Sequence, residues 1–215
     1  MRRFTGVVLG VALTMVLITG AQAQIAIGVR AGYNNAKLTF TPPDPELPDF
    51  KSRSGFHAGA DLAIAIAPMF DIQAGAAYSQ KGATAAESGI DATVAIDYID
   101  VPLLFVVNIP TSGNITPRLF AGAVASFEMS CKLKQSVAGE GSVSEDCDEG
   151  NVGARKTSYF SGLFGGGIGF AAGPGNLLLD VGYQLGLTNV SDDPGQTVKE
   201  NVIQASLGYR FPLGG

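Results

Sequence analysis

Apolar and polar residues alternate with a period of two over most of the chain after residue 23. In the last predicted strand, odd positions from Ile203 to Phe211 are apolar or aromatic, and even positions from Gln204 to Arg210 are polar or glycine. Because successive side chains of a strand point to opposite faces, this alternation predicts strands with one apolar and one polar face. Seven further strands are predicted at 25–33, 54–66, 70–80, 99–107, 118–129, 159–170 and 177–187.

The predicted links between these strands are alternately long and short. The long polar links are 35–53, 82–92, 132–155 and 189–197, and the short links are 67–69, 110–115 and 173–175. Outer-membrane barrels have long external loops and short periplasmic turns. With a periplasmic N-terminus, every link falls on the expected side, which favours a barrel over a soluble sandwich.

The polar faces are rich in glycine and other small residues, as the interior of a narrow barrel requires. The apolar runs match the roughly 9–11 residues that a tilted strand needs to cross a bilayer. Aromatic residues near the strand ends fit interfacial girdles; they are Tyr33, Tyr78, Phe127, Tyr209 and Phe211. We therefore predict an all-β protein, a closed antiparallel up-and-down transmembrane barrel of about eight strands with its apolar faces toward lipid.

The N-terminus has the layout of a secretory signal peptide. Arg2 and Arg3 precede an apolar run that extends to about Gly20, and Ala21-Gln22-Ala23 follows as a cleavage site. We predict a signal peptide over 1–23 and an outer-membrane barrel domain over 24–215. The net charge of −5 argues against nucleic-acid binding, which usually requires a basic face.

Four segments resemble the outer-membrane β-barrel family that includes PorT-like proteins. They are Ile27–Asn34, Tyr78–Gly82, Asp97–Leu104 and Leu207–Phe211. The resemblance implies an eight-stranded outer-membrane barrel, often without an assigned activity, and it allows a role in a secretion apparatus.

The final strand also resembles the signal that the barrel-assembly machinery reads, with Leu207, Tyr209 and Phe211 as its apolar positions. It departs from that signal because Pro212 to Gly215 follow the aromatic Phe211. The expected partners are therefore outer-membrane lipid and, during biogenesis, the assembly machinery.

Charged residues and one histidine on the polar faces are candidates for a network inside the barrel. They are Arg30, His57, Asp61, Asp71, Asp100, Arg118, Glu128, Asp180 and Arg210. Side chains just fill an eight-stranded barrel, and buried charges need partners. This favours a closed interior over a pore. His57, the only histidine, is expected at the external end of its strand, in a hydrogen-bonding role.

Cys147 lies in the longest predicted link, 132–155, and Cys131 lies directly before it. Because export leads to an oxidising compartment, we predict a disulfide between them. The same link is acidic, and Asp146-x-Asp148-x-Gly150 is faintly similar to a calcium loop but lacks the later glutamate at the proper spacing. A solvated acidic loop is the favoured interpretation, with no metal and no cofactor.

The leading hypothesis is a non-enzymatic barrel with an envelope-structural or surface-interaction role, because no nucleophile and base are evident together. A narrow channel, transport or secretion component and a soluble periplasmic barrel that binds an apolar ligand are the alternatives. An unidentified surface or periplasmic protein partner is left open, and the proline-rich stretch 41–48 is expected to be an exposed external loop.

Overall fold

The computed structural model describes residues 24–42, 50–87, 90–137, 141–148, 155–193 and 195–213. The predicted signal peptide 1–23 and most of the proline-rich stretch 41–48 lie outside these residues. The described residues form one nine-stranded sheet. Its strands are β1 (Ile25–Thr41), β2 (Phe50–Ala67), β3 (Phe70–Glu87), β4 (Ile90–Asn108), β5 (Ile115–Val137), β6 (Gly141–Asp146), β7 (Ser158–Ala172), β8 (Gly175–Gly186) and β9 (Thr197–Leu213).

The sheet closes on itself, since β1 pairs with β9 and β4 pairs with β5. Eight strands form the ring in chain order, and every pairing is antiparallel. The short strand β6 pairs only with the end of β5, above the place where β7 joins β5. The predicted closed antiparallel barrel is therefore confirmed. Closure leaves no open strand edge, whose backbone N–H and C=O groups would have no hydrogen-bond partner in lipid.

The two ends of the barrel differ. Tight turns at 68–69 and 173–174 and the short segment 109–114 connect strands at one end, which we call the turn end. The opposite end, the loop end, carries the connections after β1, β3, β5 and β8. No helix in the described part of the chain is long and apolar enough to cross a membrane.

The strands extend further toward the loop end than the sequence predicts. The predicted link 82–92 is mostly strand, because β3 runs to Glu87 and β4 starts at Ile90. In the same way β1 continues to Thr41, and β5 continues to Val137 before β6. These segments look like polar loops in the sequence because the alternation of polarity changes there, while the ladder of backbone hydrogen bonds continues.

The apolar face points outward over the turn-end half of the strands. Ile27, Val29 and Tyr33 on β1 are exposed, and the intervening Gly28 and Asn34 are buried. The outward apolar run from Ile25 to Tyr33 matches the roughly 9–11 residues needed to cross the hydrocarbon core. This half of the barrel therefore has a surface suited to lipid and a polar interior.

Candidate functional site

The interior near the turn end is filled by a set of charged and amide side chains that we call the turn-end network: Arg30, Asp61, Asp71, Gln73, Arg118, Asp180 and Arg210. Arg210 lies at its centre. Its Nη2 donates to Gln73 Oε1 at 2.6 Å, and it forms ion pairs with Asp71 at 3.3 Å and Asp61 at 3.6 Å. One guanidinium therefore joins strands β2, β3 and β9 across the lumen.

Two further arginines complete the turn-end network. Arg118 from β5 donates to Gln73 at 3.0 Å and pairs with Asp180 of β8 at 3.2 Å. Arg30 from β1 donates to Asp61 at 2.8 Å and 3.0 Å. Three arginines thus meet three aspartates, so the fixed charges balance inside the barrel.

A polar cavity of about 230 Å³ lies beside this network at the turn end, lined in part by Asp71, Asn108, Arg118 and Arg210. Among the described residues, four buried polar atoms of the network have no hydrogen-bond partner: Asp61 Oδ1, Arg118 Nε, Asp180 Oδ1 and Arg210 Nε. The cavity is polar and large enough for water molecules, which suit such atoms.

His57 lies buried near the middle of the barrel, not at the external end as predicted. β2 already begins at Phe50, so several residues of strand separate His57 from the loop end. Its Nδ1 is 2.8 Å from Asn34 Oδ1, and its Nε2 is 2.8 Å from Ser206 Oγ. Gly32 faces the imidazole, where a Cβ would lie 2.6 Å from His57 Cε1. Both ring nitrogens therefore have partners, and small neighbours make the space for the ring.

A second buried group, the Lys81 network, comprises Lys81, Asp100, Ser126, Tyr159 and Glu200 and lies toward the loop end. Lys81 Nζ donates to Asp100 at 2.9 Å, to the Tyr159 hydroxyl at 2.9 Å and to Ser126 at 3.3 Å. The Tyr159 hydroxyl donates to Glu200 Oε2 at 2.6 Å. The fully buried ammonium is therefore held between two carboxylates, one in direct contact and one through tyrosine.

The backbone contributes one further contact to the Lys81 network. The N–H of Gly82 donates to Glu200 Oε1 at 3.1 Å, and Gly82 has a φ of 120°, in the region that favours glycine.

Of the nine residues predicted to fill the lumen, the structure brings six together in the turn-end network. Asp100 joins the Lys81 network, and His57 lies between the two. Glu128 is apart from both, at the loop end, where Arg155 donates to it at 2.8 Å and also pairs with Asp148 at 3.0 Å. The hydrogen bonds with Glu128 are the main reason that the pKa of Arg155 is raised above its ordinary value.

Lys81, Tyr159 and Glu200 were missed as lumen residues from the sequence. Gln73 lies on the polar face of its predicted strand 70–80 but is not among the nine network candidates. The predicted strands end at 80 and begin at 203, so Lys81 and Glu200 fell outside the alternation. When the alternation is continued along each strand with the same parity, both residues fall on the polar, inward face. Lys81 continues the odd positions of Gln73, and Glu200 continues the even positions of Arg210. Tyr159 opens its glycine-rich strand, where the alternation is too weak to assign a face.

Cys131 and Cys147 form the predicted disulfide, with 5.4 Å between their Cα atoms. The bond ties the loop end of β5 to the residue that follows β6. Asp146 and Asp148 are exposed, while Glu140, Glu149 and Gly150 lie outside the described residues. In the part of the chain that the structure describes, no group of three or more His, Cys, Asp or Glu side chains is placed to hold a metal ion.

The three residues of the predicted assembly signal lie on β9. Leu207 and Phe211 are exposed on the outer surface. Tyr209 packs against Phe211 with 4.5 Å between ring centroids and donates to the carbonyl of Ala172 at 2.5 Å. The alternation of the last strand therefore places an apolar surface toward lipid, next to β1.

Comparison with known proteins identifies the family. The model of the outer membrane protein beta-barrel domain matches residues 21–192. The chain belongs to this family. A search of curated proteins found no match. Membership of this barrel family places the protein in the outer membrane, in contact with lipid. The narrower assignment to PorT-like proteins stays a prediction.

The chain is also similar to solved structures of outer-membrane proteins, at low sequence identity. The outer membrane protein OprG from Pseudomonas aeruginosa has a TM-score of 0.53 at 13% identity, covering 89% of this chain and 98% of that chain. Neisserial surface protein A has a TM-score of 0.48 at 17% identity, with 87% and 99% covered. Ail of Yersinia pestis has a TM-score of 0.41 at 18% identity, with 86% and 98% covered. The similarity to OprG supports the outer-membrane barrel fold alone.

Proposed function

We propose that this protein is a non-enzymatic, non-conducting outer-membrane barrel whose loop end faces the cell exterior and carries a surface-interaction or envelope-structural role. The observation that carries the proposal is the pair of buried networks across the lumen. Arg210, Arg118 and Gln73 join strands on opposite sides of the ring near the turn end. Lys81 does the same nearer the loop end.

An ion that crosses this interior would have to break contacts between charges that are already shielded from water. Asp61, Arg118 and Asp180 are all buried, as are Lys81 and Glu200. Removing one partner of a buried ion pair typically costs about 3–5 kcal/mol. Opening a path by moving such groups is therefore unfavourable, and a closed interior is the stable state.

The same networks support a non-enzymatic role. A general base must reach the proton that it removes. The two ring nitrogens of His57 are instead occupied by Asn34 and Ser206. The Ser126 hydroxyl, close to Lys81, donates to Asp100 at 2.6 Å inside the buried network. These groups are hydrogen-bonded to one another, so they are not directed at a substrate.

The difference between the two ends supports the proposed orientation. Short turns are typical of the periplasmic end of such barrels and long loops of the external end. We propose that residues 1–23 direct export and are removed. We also propose that β9, with Leu207, Tyr209 and Phe211, is read by the barrel-assembly machinery. We further propose that a surface partner binds the loop end, because only the turn end is accessible from the periplasm.

Conductance of the purified protein in a planar lipid bilayer tests the closed lumen. We expect no steady current from the wild type. The double variant Lys81→Ala/Arg210→Ala, which removes the central cation of each network, should introduce current, and the exposed Lys199→Ala should not. A steady, ion-selective current through the wild-type protein would contradict the proposal.

Protease treatment of intact cells tests the orientation. We expect cleavage between 132 and 155 without permeabilisation, because this segment lies at the loop end. Cleavage that occurs only after the outer membrane is permeabilised would show that the loop end faces the periplasm.

A further inference from the structure

The polarity of the two faces of the barrel wall reverses toward the loop end. On β1, the outward residues change from Val29 and Tyr33 to Lys37 and Thr39. The inward residues of the same strand change from polar Arg30 and Asn34 to Leu38 and Phe40. Lys37 and Thr39 are exposed, and the half-buried Leu38 and Phe40 line a cavity that is partly open to solvent.

The polarity of the two faces of the paired strand β9 reverses at the same height. Its outward residues change from Leu207 and Ile203 to Asn201 and Lys199, while inward Val198 and Val202 are buried. The register pairs Phe40 with Val198 and Thr39 with Lys199, so the two strands reverse together. A wall with apolar residues inside and polar residues outside is typical of a soluble barrel that encloses a ligand.

The reversal surrounds a cavity of about 230 Å³ at the loop end. Its walls are mainly apolar, with Phe40 and Phe50 stacked at 4.8 Å between ring centroids, and Val94, Ile96 and Val198 around them. Tyr98 and Glu200 lie where the cavity meets the Lys81 network. The cavity therefore lies above a closed polar layer, and a ligand in it need not pass through the barrel.

One exposed lysine in the lining of this cavity, Lys156, can meet an anionic end group. Arg155 and Lys156 both line the cavity, and Lys156 is exposed. The one carboxylate in the lining, Glu200, is bound by Tyr159 and by the N–H of Gly82. Arg155 is engaged by Glu128 and Asp148, so Lys156 is the group best placed to meet an anion.

We propose that this loop-end cavity binds an anionic amphiphile with an unbranched alkyl chain, of the medium-chain carboxylate class. An enclosed apolar cavity of about 150 Å³ holds benzene, and this cavity, at about 230 Å³ and partly open to solvent, has room for an alkyl chain. The alkyl chain packs against Phe40, Phe50 and Val198, and the carboxylate meets Lys156. The site goes beyond the proposed function, since it requires neither an open nor a closed lumen.

Radiolabelled decanoate is the probe, measured by equilibrium dialysis against the full-length barrel in phosphatidylcholine nanodiscs. Empty nanodiscs correct for partition into lipid. We expect saturable binding of one decanoate per barrel above that background. Binding that never exceeds the empty-disc level would overturn the proposal.

A matched pair of tryptophan variants locates the binding. Val198→Trp fills the cavity from β9 and should weaken decanoate binding at least tenfold. Thr39→Trp, beside it on the outward face, should leave binding unchanged. Because the natural chain contains no tryptophan, the emission of the introduced residue reports its environment, blue-shifted for Val198→Trp and red-shifted for Thr39→Trp. Equal binding by the two variants would overturn the location.

Leu38→Trp is the second filling variant, in case Val198→Trp does not fold. Leu38 lies on β1 opposite Glu200, so the new ring enters the cavity from another strand. Weakened binding by Leu38→Trp supports the site, and undiminished binding contradicts it. Heat-modifiable gel mobility verifies that each variant is a folded barrel.

Two further comparisons test the anionic end group. Decanoate should bind severalfold more tightly than decanol, and Lys156→Gln should remove that difference. Lys199→Gln, on the outward face, is the control and should preserve it. If decanol binds as tightly as decanoate to the wild type, the choice of an anionic ligand is wrong.

Discussion

At the scale of single residues, the interior is organised by buried charges with several partners each. Arg210 contacts Asp61, Asp71 and Gln73, and Arg118 contacts Gln73 and Asp180. Each of these charges keeps its partners, because leaving a buried charge unpaired costs free energy. The sequence shows the residue types, but only their positions around the ring decide which charge meets which.

Replacement of Arg118 by methionine should strongly destabilise the barrel. It leaves Asp180, which is buried, without its cation, and we expect a loss of about 3–5 kcal/mol in the free energy of unfolding. Urea unfolding in lipid vesicles measures this loss. The double variant Arg118→Met/Asp180→Leu should lose less than Arg118→Met alone, and the exposed Lys199→Met should change stability by less than about 0.5 kcal/mol. A single variant as stable as the wild type would show that the pair is not buried.

Gly32 should not tolerate even one added methyl group. A Cβ there would lie 2.6 Å from His57 Cε1 and close to the carbonyl oxygen of Ala205, so Gly32→Ala should cost about 1–3 kcal/mol. Gly113→Ala is the matched control, because nothing lies within 4 Å of the position its Cβ would take. The same urea titration compares the two, and equal stabilities would contradict the packing described around His57.

At the scale of strands, the barrel has a regular ring and one addition. The ring strands pair with both neighbours, whereas β6 pairs only with β5 along Lys132–Val137. A two-stranded ribbon is marginally stable by itself. The disulfide between Cys131 and Cys147 brackets this ribbon and is its main covalent constraint.

Removal of the disulfide should loosen β6 and spare the ring. In the chain-entropy model a loop of this length is stabilised by roughly 3 kcal/mol when closed. We therefore expect Cys131→Ser/Cys147→Ser to make the segment around 141–146 much more sensitive to limited proteolysis. Heat-modifiable gel mobility should be retained, since the backbone pairing of the eight ring strands does not include β6. Thiol labelling of the unreduced wild type should find no free thiol, and two labelled cysteines would contradict the bond.

At the scale of the whole molecule, the barrel consists of two stacked parts with opposite polarity. The turn-end half exposes apolar side chains and encloses charges. Beyond the Lys81 network, the loop-end part exposes polar side chains and encloses apolar ones. The change occurs just after Tyr33 on β1 and just before Ile203 on β9. We expect the external border of the hydrocarbon layer at this height. Lipid requires apolar side chains on the outer surface, whereas water permits polar ones.

Arginine substitutions on the outer face should locate that border. Val29→Arg places a charge within the lipid-facing band and should cost about 2–4 kcal/mol of unfolding free energy in lipid vesicles. Thr39→Arg, on the same face of the same strand, should cost less than about 1 kcal/mol, since it lies beyond the border. Val29 is 52% exposed, so its substitution removes little internal packing. Similar losses at both positions would place the border further toward the loop end.

The sequence by itself determined the class of the protein and the lipid-facing half of the wall. Period-two alternation, as from Ile203 to Phe211, is local information, because neighbouring side chains of a strand point to opposite faces. A missing helical pattern and links that alternate in length then lead to a closed barrel. The same parity, continued past Gln80 and Ile203, leads to Lys81 and Glu200.

Only the tertiary structure decided what the inward residues form. Ring closure brings Lys81 of β3 against Tyr159 of β7, and Arg210 of β9 against Gln73 of β3. These contacts depend on register and on distance across the lumen, neither of which is encoded in local periodicity. The length of the strands beyond the membrane was also decided there. Backbone pairing continues regardless of side-chain polarity. The change of pattern that indicates a loop in the sequence is therefore a continuing strand, whose polar residues now face outward and whose apolar residues face inward.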